Sequence, residues 1–193
     1  RQSNVHSVAS LAGMAPCDFV FICTPVSTIA SYVIELSDIL GSEAIIVDTG
    51  STKANIVADV AAARPSFSRF VPGHPMSGSH EAGPARASAQ IFAKRTFVLT
   101  PYPQTDQSAV DKTRALLEAC GSHVLITPVD EHDSVLGATS HLAHLTAFAM
   151  VNQLNDDICP DHLNELIAGS FMRMTQFAAS DPKMWSDVFL ASS

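Results

Sequence analysis

Two polar blocks carry the residues able to do chemistry: Asp48 to Lys53, DTGSTK, and Val71 to Gly83, VPGHPMSGSHEAG. Each follows a short apolar run, Ala44 to Val47 in one case and Phe70 and Val71 in the other. A short apolar run that ends in Gly, Pro, Ser or Thr reads as a strand giving way to a loop. In open α/β sheets that edge is where ligands bind. His74 sits between Gly73 and Pro75, so its backbone is free on one side and fixed on the other, which suits a side chain held out into a cleft. Histidine is also the side chain best placed to move a proton near neutral pH. Taken alone, His74 reads first as a plain turn histidine; the second polar block is what makes it a candidate.

The elements that must position these blocks alternate. Strand-like runs at Phe19–Cys23, Ala44–Val47, Arg69–Val71, Thr96–Leu99 and His123–Ile126 are separated by helical patterns. Ser27 to Leu40 places Ile29, Val33, Leu36 and Leu40 on one face and stops at Gly41; Ser51 or Thr52 is positioned to cap a helix running to Ala63; Asp106 to Ala119 stops at Gly121. That alternation predicts an α/β domain with a parallel sheet flanked by helices. After Thr127 and Pro128 the strand-like runs vanish and long helices are expected, roughly Asp130–Leu154 and Asp161–Ala179. A boundary near residue 127 follows, with one domain over 1–127 and a helical one over 128–193.

Composition narrows the function. The 193 residues are 47% hydrophobic, enough for a real core, and carry 11 Lys and Arg against 19 Asp and Glu, a formal charge of −8. With no basic run, a nucleic-acid partner is not expected. Cys17, Cys23, Cys120 and Cys159 form no CxxC pair, and no secretory segment precedes them, so reduced thiols in the cytoplasm are expected. Polar residues break the apolar stretches before the eighteen or so needed to span a bilayer, so no membrane span is expected. His141 and His144 are three apart, but without a third ligand motif a metal is not expected. Lys53 reads as a first-turn residue of its helix with no catalytic role, and Trp185 with Met184 and Phe189 as core or dimer packing. The glycine-rich turn that cradles a dinucleotide's pyrophosphate, GxGxxG, is missing, so the chain reads as a piece that starts after the first βαβ unit and stops inside a helix.

From Asp18 to Leu190 the chain resembles the prephenate and arogenate dehydrogenase family, through DFVFICTPV, IIVDTGSTK, VPGHPMSGS..AGP, the pair Ile91-Phe92, VDEHDSVLGATSHLAH and AASDPKMWSDVFLA in that order. Any one alone is weak; six in sequence are specific. The resemblance implies a Rossmann-type domain, incomplete at its N-terminus, followed by an all-helical dimerisation domain. It implies oxidative decarboxylation of prephenate or arogenate in tyrosine biosynthesis with NAD or NADP, by a homodimer. On the matching positions it implies that His74 is the catalytic histidine and that Ser51 hydrogen-bonds the ring hydroxyl. It implies that Ser79, His132 and His144 face the substrate, and that Thr24, Pro25, Asp48 and Gly50 lie along the cofactor.

The family pattern is broken at three positions. Where the family reads GFRDxTR, this chain reads SFMRMTQ, so Gln176 replaces an arginine that grips a substrate carboxylate and Arg173 replaces an aspartate, while His80 stands at a usual glutamate. A glutamine cannot offer the charged two-pronged fork of a guanidinium. Arg173 is a candidate to supply the cation instead, and the alternatives are a dehydrogenase for a modified prephenate or a non-catalytic dimeric paralogue.

Overall fold

The computed structural model describes residues 7–77, 88, 90–157 and 162–192. Ser79 and His80 lie outside them. Three parallel strands, β1 (Phe19–Ile22), β2 (Ile45–Asp48) and β3 (Phe70–Val71), form one sheet with β2 in the middle. Between them run α1 (Val26–Ile39) and α2 (Ala54–Ala63). Because successive side chains of a strand point to opposite faces, β2 feeds two cores. Ile46 packs with Ile29, Val33, Leu36, Ile56 and Val60 of α1 and α2. Ile45 and Val47 pack on the other face with Phe97, Leu99, Val110 and Leu117. Every residue of β2 is buried, as expected of a central strand covered on both sides.

The sequence pattern places His74 in a loop and all strands parallel, and here the structure differs. After Pro72 the chain resumes as a further strand, β4 (Gly73–Pro75), which pairs antiparallel with β5 (Thr96–Leu99) and sets His74 opposite Val98. β5 then pairs in parallel with β6 (His123–Ile126) across α3 (Gln107–Ala119). A strand of three residues that follows one proline and ends in another is too short to show a period of two. Pro72 has no N–H to give a ladder, but its carbonyl accepts from the Thr100 amide at 2.9 Å, which carries the chain from one sheet to the next. The α3 ends are as read: Asp106 caps its N-terminus through Ala109 N, and Gly121 leaves it at φ +88°.

The helical half begins with α4 (Val129–Leu136), passes through a π-helical turn at Gly137–His141, and continues as α5 (Leu142–Asp157). Where one helix was expected over Asp161–Ala179, there are α6 (Leu163–Leu166), a break at Ile167 and Ala168, and α7 (Gly169–Thr175) with a 3₁₀ extension through Ala179. α8 (Pro182–Ala191) follows, capped by Asp181. The stretch Val129–Leu154 is long and apolar enough to cross a membrane by length and composition, with a mean hydropathy of 1.2, which the broken apolar runs of the sequence did not suggest. It also carries His132, Asp133 and His141, which the fold uses.

Two glycines are dictated by close approach. A Cβ on Gly73 would lie 2.7 Å from the Phe97 ring and 2.9 Å from the Asp48 carbonyl oxygen; on Gly50 it would lie 2.7 Å from Ile29 and 2.9 Å from the Asp48 carboxylate. Gly73→Ala should therefore destabilise the fold by about 1–3 kcal/mol through overpacking, read as a lower urea midpoint. An unchanged midpoint would contradict the packing described for β4.

Candidate active site

The site is built around a charge pair inside the protein. Asp48, the last residue of β2, and Lys53, just ahead of α2, are both fully buried, and the Lys53 ammonium meets Asp48 Oδ2 directly. Lys53 Nζ also donates to the Gly73 carbonyl at 2.8 Å. Asp48 in turn accepts from Gly50 N at 2.9 Å and from Gly73 N at 3.0 Å. Burial pulls the Lys53 ammonium below its ordinary range, and the Asp48 charge and hydrogen bond oppose that. The Asp48 carboxylate is thus engaged by Lys53 and two backbone amides, and Gly50 is packed under Ile29. Lys53, which the sequence left without a role, is the cation that makes this arrangement possible. Its signal is a strand-terminal acid followed five residues on by a lysine, recognisable only once both are known to be inside.

The helical half closes on this centre through Asp133. Although α2 was expected to be capped by Ser51 or Thr52, its N-terminus is capped from 80 residues away: Asp133 of α4 accepts from Lys53 N at 3.0 and 3.1 Å and from Ala54 N at 2.8 Å. A carboxylate there satisfies amides that lack helical partners and meets the positive end of the helix dipole. Burial alone would raise the Asp133 carboxyl, but hydrogen bonds from His132 and from the Ala54 and Lys53 amides hold it below the usual range. α8 adds a second junction, with Ser27 donating to Asp187 at 2.9 Å and Asn55 to the Ala191 carbonyl at 2.9 Å.

The three histidines foreseen for the cleft occupy different surroundings. His74 Nδ1 lies 2.9 Å from His132 Nε2, with the rings edge to face at 5.2 Å between centroids. His132 Nδ1 is 2.7 Å from Asp133 Oδ1. With 2% of its surface exposed, His132 has both ring nitrogens engaged within the protein. His144 stacks on Trp185 with centroids 3.5 Å apart and donates from Nδ1 to the Ser140 carbonyl at 3.0 Å. His141, which the sequence did not select, is buried at the end of the π-turn, its Nδ1 2.8 Å from Ser192 Oγ. His141 and His144 each use Nδ1 in a hydrogen bond, with Ser192 and with Ser140, and both rings face the buried Trp185.

At the open edge, Thr24 and Pro25 are exposed just beyond β1 and Ser51 is half-buried beyond β2. Ser51 makes no side-chain hydrogen bond among the described residues, and the buried Thr52 hydroxyl beside it is also without a partner. Arg173 and Gln176 are both exposed, on α7 and its extension, and neither hydrogen-bonds to the histidine cluster among the described residues. Nothing in their contacts explains the paired change from the family pattern.

Parallel strands ending side by side in an edge of hydroxyls, with a histidine between that edge and a helical unit, define the layout of a nucleotide-binding α/β domain joined to a helical one. The comparisons agree. The family description "Prephenate dehydrogenase, nucleotide-binding domain" matches residues 3–126, and "Prephenate dehydrogenase, dimerization domain" matches residues 128–193. The chain belongs to the prephenate dehydrogenase family. The prephenate dehydrogenase of Bacillus subtilis (strain 168) is 34% identical over 183 residues, which cover 93% of this chain and 49% of that protein. The cyclohexadienyl dehydrogenase of Zymomonas mobilis is 29% identical, over 91% of this chain and 60% of that one. The crystal structure of prephenate dehydrogenase from A. aeolicus in complex with hydroxyphenyl propionate and NAD+ superposes with a TM-score of 0.86 at 33% identity, covering 96% of this chain and 65% of that one. The chain thus spans about half the length of the curated relatives it matches.

Electrostatics fix the protonation of His74. Burial, then the charge of Lys53, then His132 and His141, push it down to about 2, with only Asp133 opposing. Burial likewise lowers His141, against the pull of Asp133. A histidine kept neutral in the fold takes a proton near pH 6.5 once unfolded, so stability is greatest above that value and falls as the pH drops below it. Between pH 7 and 5 the loss should reach at most about 2 kcal/mol per such histidine, measured by urea unfolding. His74→Asn should make the acid limb shallower. A limb of unchanged slope would mean that His74 is not held neutral.

Proposed function

We propose that the protein catalyses the NAD(P)-dependent oxidative decarboxylation of prephenate or arogenate, with His74 as the proton acceptor. The observation that carries the reading is a neutral imidazole at the sheet edge, one nitrogen tied to His132 and the ring held by β4. The substrate class is that of the family, and a relative's structure holds NAD+. The edge fits the nicotinamide end of such a cofactor, since Ser51 and Thr52 have uncommitted hydroxyls beside exposed Thr24 and Pro25. When bound, the nicotinamide accepts the hydride and so supplies the redox chemistry.

The chain's own part is proton transfer and orientation. As hydride leaves the carbinol carbon, the ring hydroxyl must give up its proton, and His74 takes it. The pair of electrons from the breaking carboxylate bond enters the ring, CO2 departs, and the oxygen of the new aromatic ring recovers a proton from His74. Ser51 orients the hydroxyl so that the carbinol hydrogen faces the cofactor, a positioning effect. The negative charge of the substrate's carboxylates raises the His74 affinity for a proton, offsetting burial and Lys53. Ser79 and His144 border the substrate in this reading, the first from the dinucleotide-binding domain over 1–127 and the second from the helical domain over 128–193. The replacement of the expected arginine by Gln176 next to Arg173 supports a second reading, a modified prephenate as substrate, which turnover of prephenate, arogenate and ring-substituted analogues separates.

In the full-length protein, His74→Asn should lower kcat at least roughly a hundredfold with a smaller effect on cofactor affinity, since it removes the acceptor and leaves the dinucleotide contacts. Steady-state rates within a few-fold of the parent would sink the assignment. The helical half exposes Leu142, Leu145, Met172 and Met174, with 58%, 49%, 64% and 55% of their surface open. We assign that face to a homodimer, as the dimerization-domain match supports. Leu142→Glu with Leu145→Glu should yield a monomer in sedimentation; an intact dimer would place the interface elsewhere.

A further inference from the structure

The contacts of His132 and Asp133 go beyond holding the fold together, because they decide which nitrogen of His74 carries the proton. A carboxylate only accepts hydrogen bonds. Asp133, already receiving the Lys53 and Ala54 amides, can therefore meet His132 Nδ1 at 2.7 Å only if that nitrogen bears hydrogen. A neutral imidazole then has a bare Nε2, so His132 Nε2 must accept, and the group 2.9 Å away, His74 Nδ1, must donate. That leaves His74 Nε2 with the free lone pair.

We propose that His132 and Asp133 are positioning residues that hold His74 in its Nδ1–H tautomer and so make Nε2 its proton acceptor. This rests on the reading of His74 as the acceptor. The arrangement has the logic of the Ser-His-Asp triad, in which a buried carboxylate fixes the tautomer of the histidine that does the work. Here the chain is one histidine longer, and its carboxylate is at the same time the cap of α2. When Nε2 takes a proton, the chain of hydrogen bonds ends in the Asp133 carboxylate, whose charge favours it, while the charges of Lys53 and His141 oppose it. Because α4 supplies both His132 and Asp133, the base is set only when the helical half is seated on the nucleotide-binding half.

The deciding variant is Asp133→Asn. The two amides at the start of α2 retain the amide oxygen, so the cap survives, and the NH2 group is left facing His132 Nδ1. Donation there forces the proton of His132 onto Nε2 and that of His74 onto Nε2, the wrong tautomer. In hydrolase triads the equivalent change costs about ten-thousandfold in kcat with the geometry intact. Here a fall in kcat of about 10²- to 10⁴-fold is expected, with KM within a few-fold. A second pair guards against loss of the fold. His132→Gln offers an amide donor to Asp133 and a carbonyl acceptor to His74 in the same order and should recover most of the activity that His132→Leu loses.

Long-range ¹H–¹⁵N spectra of histidine-labelled full-length protein read the tautomer without reference to turnover. His74 should be protonated on Nδ1 in the parent and in His132→Gln, and on Nε2 in Asp133→Asn. An Nε2–H His74 in the parent, or no change of tautomer or kcat in Asp133→Asn, would overturn the relay. If instead the tautomers behave as stated but His74→Asn stays active, the relay stands as geometry and the reading of His74 as the acceptor is what fails.

Discussion

The ion pair between Asp48 and Lys53 is the contact on which the remaining architecture depends. Two unit charges without any solvent exposure are tolerable only if each is neutralised and hydrogen-bonded, and breaking one such pair costs about 3–5 kcal/mol because the survivor is left uncompensated. The pair joins three pieces of backbone: the end of β2, the start of α2, and β4 through both the N–H and the carbonyl of Gly73. Since His74 is the next residue of β4, the position of its ring follows from the same set of bonds. The pair also places a positive charge beside His74, which helps keep the imidazole neutral.

The second constraint is the N-terminus of α2, whose amides need a cap. Ser51 and Thr52 are well suited by type to cap it, and neither does so, because the chain between β2 and α2 is pulled inward by Lys53. The amides of Lys53 and Ala54 are left for Asp133, and the cap comes from the helical half. A local need of one helix thereby becomes the joint between two halves, and it leaves Ser51 uncommitted at the edge where a substrate hydroxyl would be oriented. The same carboxylate orients His132. One side chain thus links helix capping, the seating of the halves and the tautomer of His74.

Much of this was open to reading in the residues alone. The strand at Thr96–Leu99 and its neighbour at His123–Ile126 occur where alternation and flanking turn residues put them, and α3 starts at its Asp106 cap and ends before Gly121, because these signals are local. The two polar blocks stand at strand ends for the same reason, and six ordered motifs were enough to recognise the family. The strand carrying His74 was not legible: three residues have no measurable period, and whether they pair depends on β5, more than twenty positions away. The breaks around α6 escaped notice too, since no proline interrupts the helical pattern there.

The sequence by itself determined the alternation of strands and helices, the change to helices after residue 127, and the set of side chains able to move a proton, because periodicity, capping residues and side-chain chemistry are properties of short segments. Tertiary structure alone decided how those side chains are used. Lys53 became half of a buried pair, Asp48 was tied to Lys53 and the Gly73 amide, and His132 was set against His74. Each outcome depends on burial and on contacts with residues distant in the chain, such as Gly73 20 positions and Asp133 80 positions from Lys53. The energy of a charge or a hydrogen bond is set by what surrounds it in space, and that becomes defined only when the chain has folded.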